Sequence, residues 1–185
     1  MEKVRFGVIG IGNMGTSHSG WLVGNRIEGA ELTAVCDMDE KRREWAKENL
    51  HGTVTVYDDY KKLLDSGKID AVIIAVPHYL HPEIAIEALK RNIHTMVEKP
   101  AGVYVSQIRK MNEEAEKHPD VKFAMMFNQR TNPLYQKVKE ILDAGTIGNL
   151  RRVSWIITSW WRTQKYYDSS AWRATWAGEG GGVLV

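Results

Sequence analysis

The feature that most constrains this chain is Gly10-Ile11-Gly12-Asn13-Met14-Gly15, set between an apolar run, Val4–Ile9, and a helical stretch, Asn13–Val23. A glycine at the first position permits a tight turn. A glycine at the second lets the backbone approach a pyrophosphate, and one at the third lets the helix pack closely on its strand. Phosphates would sit at the helix N-terminus, where free N–H groups and the helix dipole favour negative charge. The next apolar run, Glu31–Cys36, leads into Asp37. An acid about 20 residues past the glycines can accept hydrogen bonds from the hydroxyls of an adenosine ribose. Gly10, Gly12, Asn13, Met14, Gly15 and Asp37 are therefore candidate dinucleotide-binding residues. A carboxylate at position 37 repels a 2′-phosphate and favours NAD over NADP. Arg42 and Arg43 offset that preference only if one folds back, and the charged helix they occupy places both in solvent.

The rest of the first two thirds repeats this rhythm. Strands are expected at Val54–Tyr57, Ala71–Val76, His94–Val97 and Lys122–Phe127. Helices are expected at Asp39–Asn49, Tyr60–Asp65, Pro82–Arg91 and Val105–His118. Continuous apolar strands alternating with helices predict a parallel sheet covered on both faces, a doubly wound α/β domain over residues 1–128. From 129 to 185 the pattern changes. Asn132–Ala144 reads as an amphipathic helix capped by Asn132, with Pro133 in its first turn and Gly145 after its end. Leu150–Trp161 reads as a long aromatic strand that opens a second, α+β domain of which only the beginning is present.

A net charge of +2 gives no footprint for nucleic acid, and no apolar run is long enough for a bilayer. Cys36 is the only cysteine, so no disulfide forms within one chain, and with no signal-peptide pattern at the start the expected compartment is the cytoplasm.

Ligands of a doubly wound sheet gather beyond the carboxyl ends of its strands. Three segments end there with reactive residues: Val76-Pro77-His78-Tyr79-Leu80-His81, Glu98-Lys99-Pro100 and Asn128-Gln129-Arg130. His78 and His81 lack a third ligand of matching spacing, so no metal is assigned. Lys99 is either an end-of-strand lysine paired with Glu98 or the group that polarises a reacting hydroxyl. Asn128 and Arg130 are candidate cofactor or substrate contacts, or caps of a strand-to-helix turn. Trp160, Trp161, Arg162, Tyr166, Tyr167, Trp172 and Arg173 are candidates to line a sugar site, where flat rings suit sugar faces, or to pack a core or subunit interface.

The runs AVPHYLHPEIAIEAL, VEKPAG and MMFNQRTNPLYQKVKEILDAGTIG resemble the glucose–fructose oxidoreductase, inositol dehydrogenase and MocA family from about Val4 to Asn128 and on into the tail. The Glu98-Lys99-Pro100 tripeptide beside the glycine fingerprint is the most specific marker. The resemblance implies that Lys99 lies beside the nicotinamide and hydrogen-bonds the reacting hydroxyl of a sugar or polyol. It implies that Ala75, Pro77, His78, His81, Glu98 and Asn128 line the cofactor site, with Glu98 orienting its neighbours. The tail AGEGGGVLV is similar to the start of a family motif that continues into a helix bearing an Asp or Asn and then a His, from which the catalytic base is expected. The expected activity is NAD-dependent oxidation of a carbohydrate CH–OH group. An NAD-using glycoside hydrolase and a non-catalytic NAD-binding module are the alternatives, and a homo-oligomer through residues after Leu150 is expected.

Overall fold

The computed structural model describes residues 2–24, 26–50, 54–158 and 161–181. In chain order its elements are β1 (Val4–Ile9), α1 (Asn13–Val23), β2 (Ala30–Cys36), α2 (Glu40–Asn49), β3 (Thr55–Tyr57), α3 (Tyr60–Leu64), β4 (Ala71–Ile74), α4 (His81–Lys90), β5 (His94–Val97), α5 (Val105–Glu116), β6 (Phe123–Met125), α6 (Pro133–Asp143), α7 (Gln164–Tyr167) and α8 (Trp176–Glu179). Short 3-10 turns occupy His78–Leu80 and Asn128–Thr131.

The six strands form one sheet in the order β3-β2-β1-β4-β5-β6, parallel throughout. Order reverses between β1 and β4, and the crevice outside their carboxyl ends is where such a sheet holds ligands. Side chains alternate across the pleat, and both faces are buried. Ile9, Ala34, Cys36, Val72 and Ile74 join Leu63, Ile84, Ala85, Ala88 and Met111 on one side. Val8, Val35 and Ile73 join Ile11, Leu22, Ala46 and Leu50 on the other. Helices α3, α4 and α5 therefore cover one face, and α1 and α2 the other.

Boundaries differ from expectation where hydrogen bonding sets them. β4 stops at Ile74: after Ala75 N–H donates to Ile9 O (2.8 Å), β1 turns away at Gly10 and offers no further ladder partner. Asp39 stands outside α2 as its cap, its carboxylate accepting from Lys41 N–H at 2.9 Å. Arg43 corrects the sequence expectation. Its Nη1 folds back and donates to the carbonyls of Asp37 (3.0 Å) and Met38 (2.7 Å), because the chain leaving β2 exposes acceptors within reach of the first turn of α2.

The tail departs furthest. Helix α6 forms as expected, with Asn132 Oδ1 accepting from Leu134 N–H (3.0 Å), but none of its residues is buried. The expected strand Leu150–Trp161 is absent among its described residues; Ser159 and Trp160 lie outside them. The described apolar side chains of this segment are exposed, Ile156 by 82 %. A strand exists only with a neighbour to receive its N–H and C=O groups, and no strand of the sheet runs beside this segment. Among the described residues no helix is long and apolar enough to cross a membrane.

Candidate active site

The glycine turn shows why its residues are needed. Gly10 has φ +88°, and a Cβ there would come within 2.6 Å of Ala75 O. At Gly15 a Cβ would overlap Gly10 O at 1.7 Å, so α1 lies too close to β1 for any side chain. A Cβ at Gly12 would meet nothing within 4 Å, which leaves that approach open to a ligand. Gly12 caps α1 without a side-chain acceptor, so the first N–H groups of the helix lack one. Asp37 braces the turn from β2: Oδ2 accepts from Ile11 N–H at 2.7 Å and Oδ1 from Asp39 N–H at 2.9 Å. Each oxygen keeps a further lone pair for a hydroxyl.

These residues open onto a cavity of about 780 Å³. Its wall holds Gly10, Gly12, Asn13, Met14 and Asp37 at one end, and Ala75, Pro77, His78, His81, Glu98 and Lys99 beyond the ends of β4 and β5. Such a volume suits a cofactor-sized ligand. The fit to a dinucleotide is therefore good: open N–H groups at a helix start, a carboxylate at the end of β2, and room for the rest. Gly15 acts from behind the wall through packing. Among the described residues no group of His, Cys, Asp and Glu could hold a metal ion.

The loops after β4 and β5 are tied together. His81, only 1 % exposed, has Nδ1 at 2.7 Å from Pro100 O and Nε2 at 2.8 Å from Val76 O. Burial pushes its pKa below the ordinary histidine value, against the opposing pull of both carbonyls. The Lys99–Pro100 peptide bond is cis. Glu98 is buried, with Oε1 accepting from His18 Nε2 at 2.8 Å and Oε2 from Lys99 N–H at 3.1 Å. Burial raises its pKa, but the His18 hydrogen bond and charge, with Lys99, outweigh that and hold it below the usual carboxylate range. Glu98 thus orients the main chain at Lys99 and couples it to α1. Burial and the charge of Asp37 push the Cys36 thiol up to about 12, leaving an inert, protonated side chain.

The tail closes the other side. His78 Nδ1–H donates to Glu179 O at 3.1 Å. Tyr79 donates to Trp176 O at 3.1 Å, and the Trp172 ring meets His78 edge-on at 5.2 Å. Arg162, Tyr166, Trp172 and Arg173 consequently line the same cavity as Lys99. Besides Gly15, four described candidates stay off its wall: Asn128 and Arg130 in a 3-10 turn, Tyr167 on α7, and Trp161, 85 % exposed. Sequence reasoning missed His18, whereas Tyr166, a candidate from the tail, does reach the cavity wall. A signal existed for His18, since Gly15, Ser19 and Leu22 are the buried residues of α1 and His18 falls on the same stripe.

Comparison with known proteins gives the family. Residues 4–127 match the oxidoreductase family with NAD-binding Rossmann fold, and residues 135–185 match the GFO/IDH/MocA C-terminal domain. The chain belongs to the Gfo/Idh/MocA oxidoreductase family. It is 35 % identical over 145 residues to myo-inositol 2-dehydrogenase of Thermotoga maritima, an alignment covering 78 % of this chain and 42 % of that protein. The chain thus spans less than half of that relative's length. Scyllo-inositol dehydrogenase of Lactobacillus casei, solved with NAD(H) and scyllo-inositol, superposes with a TM-score of 0.75 at 28 % identity, over 80 % of this chain and 43 % of that one. The WlbA dehydrogenase of Bordetella pertussis, solved with NADH and UDP-GlcNAcA, gives 0.80 at 25 % identity, over 96 % and 54 %.

Proposed function

We propose that this Gfo/Idh/MocA protein is an NAD-dependent dehydrogenase acting on a CH–OH group of a sugar, polyol or related carbohydrate. The observation that carries the reading is Lys99, beyond the end of β5, on the wall of the cavity that also holds Gly12 and Asp37. A bound nicotinamide dinucleotide supplies the hydride acceptor. The N-terminus of α1 holds the pyrophosphate, Asp37 accepts from the adenosine ribose, and Lys99 hydrogen-bonds the carbinol oxygen and lowers the cost of removing its proton. Glu98, gripped by His18, keeps the Lys99 main chain in place. NAD is preferred over NADP because the carboxylate of Asp37 repels a 2′-phosphate; Arg43 already donates to two carbonyls beside it.

A nucleotide-linked sugar is the second reading of the substrate. It is favoured by the superposition on WlbA, which extends over 96 % of the chain against 80 % for the inositol enzyme. Copies of the chain associate through residues after Leu150, a reading supported by the exposed apolar side chains of Val153, Trp155, Ile156 and Ile157. A monomer by sedimentation at all concentrations would count against it.

Calorimetric titration tests the cofactor assignment: NAD+ binds more tightly than NADP+, and Asp37→Asn weakens NAD+ by about tenfold. Equal or tighter NADP+ binding overturns the role given to Asp37. Net NADH formation with a polyol and nucleotide-sugar panel, lowered about a hundredfold or more by Lys99→Met, separates a dehydrogenase from a hydrolase that turns over no NADH.

A further inference from the structure

Positive charge is unevenly answered along the cavity wall. Its carboxylates each have donors of their own: Asp37 takes two main-chain N–H groups, Asp39 caps α2, Glu83 accepts from Tyr60 at 3.0 Å, and Glu98 holds His18 and Lys99 N–H. Arg173 is answered less fully. Its guanidinium lies 4.2 Å from the Tyr166 ring centre and 4.9 Å from that of Trp172, and Nη1 donates to the Tyr166 hydroxyl. Stacking fixes the plane of the group without neutralising it. The carboxylate beside it belongs to Glu179, whose Oε1 is 4.0 Å away and whose Oε2 is turned onto Ala174 N–H at 2.8 Å. The Nε–H of Arg173 is buried and finds no acceptor among the described residues. A buried, unanswered donor on a charged group is costly, and it leaves the charge of Arg173, on the cavity wall, only partly compensated.

Two further cations share this wall. Arg162 lies 4.2 Å from the same Tyr166 ring, and Lys99 projects from beyond β5. The pyrophosphate of a dinucleotide is provided for elsewhere, at the start of α1.

We propose that the carbohydrate taken by this site carries an anionic oxygen group, a carboxylate or a phosphate, seated on Arg173. The inference rests on the dehydrogenase reading in placing the substrate against the tail side of the cavity. A planar guanidinium pre-set by two aromatic rings matches either group, accepting no proton and losing little freedom on binding.

The test is calorimetry on the full chain with D-glucose, D-glucuronate and D-glucose 1-phosphate, run with and without NAD+. At least one anion should bind about tenfold or more tighter than glucose, and the winner identifies the group. Arg173→Gln should level the three affinities, and Arg173→Lys should keep part of the preference. Added potassium chloride should shrink the preference in the unaltered protein, a readout that does not depend on any variant folding. Anions no better bound than glucose, whether all bind or none does, overturn the proposal, as does a preference that survives Arg173→Gln or is insensitive to salt. Failure of NAD+ to bind counts against the dehydrogenase reading instead, and the anion preference is still read from the cofactor-free titrations.

Discussion

Helices α4 and α6 make an instructive pair. Both are amphipathic, both carry proline in the first turn, and they have 10 and 11 residues. α4 buries His81, Pro82, Ile84, Ala85, Ala88 and Leu89, whereas α6 buries nothing, although its apolar stripe is the sharper of the two. β4 and the segment 150–157 repeat the contrast: AVII is wholly buried between two strands, while Val153, Trp155, Ile156 and Ile157 are exposed. An amphipathic pattern states which face needs cover, and only a neighbouring element supplies it.

The contrast is broken most severely inside the glycine turn. Gly15→Ala in a helix normally stabilises, because alanine restricts the unfolded chain and favours helix. Here the Cβ would strike Gly10 O, so urea unfolding should show a loss of about 4 kcal/mol, together with loss of NAD+ binding. A neutral or stabilising outcome would mean that α1 does not sit on β1 as described. Leu89→Ala, at a fully buried position of α4, should cost about 3 kcal/mol by the same measurement.

His18→Ala should cost about 2 kcal/mol near neutral pH, because it leaves the buried Glu98 carboxylate without its partner. The sign with pH follows from the Glu98 pKa, which is held below its unfolded value. Its contribution is complete above the unfolded pKa and fades as pH falls through the folded one. Without His18 burial dominates and the folded pKa rises, so the acid unfolding midpoint should move to higher pH. An unmoved midpoint would remove His18 from the site. Smallest of all, Leu142→Ala on α6, 37 % exposed, should change stability by no more than about 0.5 kcal/mol in dilute protein. A larger loss that grows with protein concentration would show that a second copy covers this face.

Legibility in the sequence followed the same division. The glycine turn, Asp37 and the strands of the sheet were readable because each is set by neighbours in sequence: Gly10 by a positive φ, Asp37 by its place at the end of β2, Ile73 by its place in a continuous apolar run. The pairing of His18 with Glu98 was not, since 80 positions separate them and only the sheet joins them. The fate of residues 150–158 was equally hidden, because strand formation depends on a partner that local pattern does not specify. The arrival of Trp172 beside His78 depends on the turn of α8, whose Glu179 carbonyl receives a proton donor from 101 residues earlier.

Asp37 carries a consequence for anyone wishing to redirect the protein toward a phosphorylated cofactor. The residue proposed to discriminate against a 2′-phosphate is also, through its bond to Ile11 N–H, a peg for the turn proposed to cradle the pyrophosphate. Deleting the side chain to relieve repulsion would slacken the cradle along with the selectivity, so affinity for both cofactors would fall together. A productive exchange must keep a short side-chain acceptor at position 37, as serine or asparagine does, and draw its new positive charge from Arg42, because Arg43 is already committed to the carbonyls of Asp37 and Met38. Selectivity and scaffold are one object at this corner of the molecule.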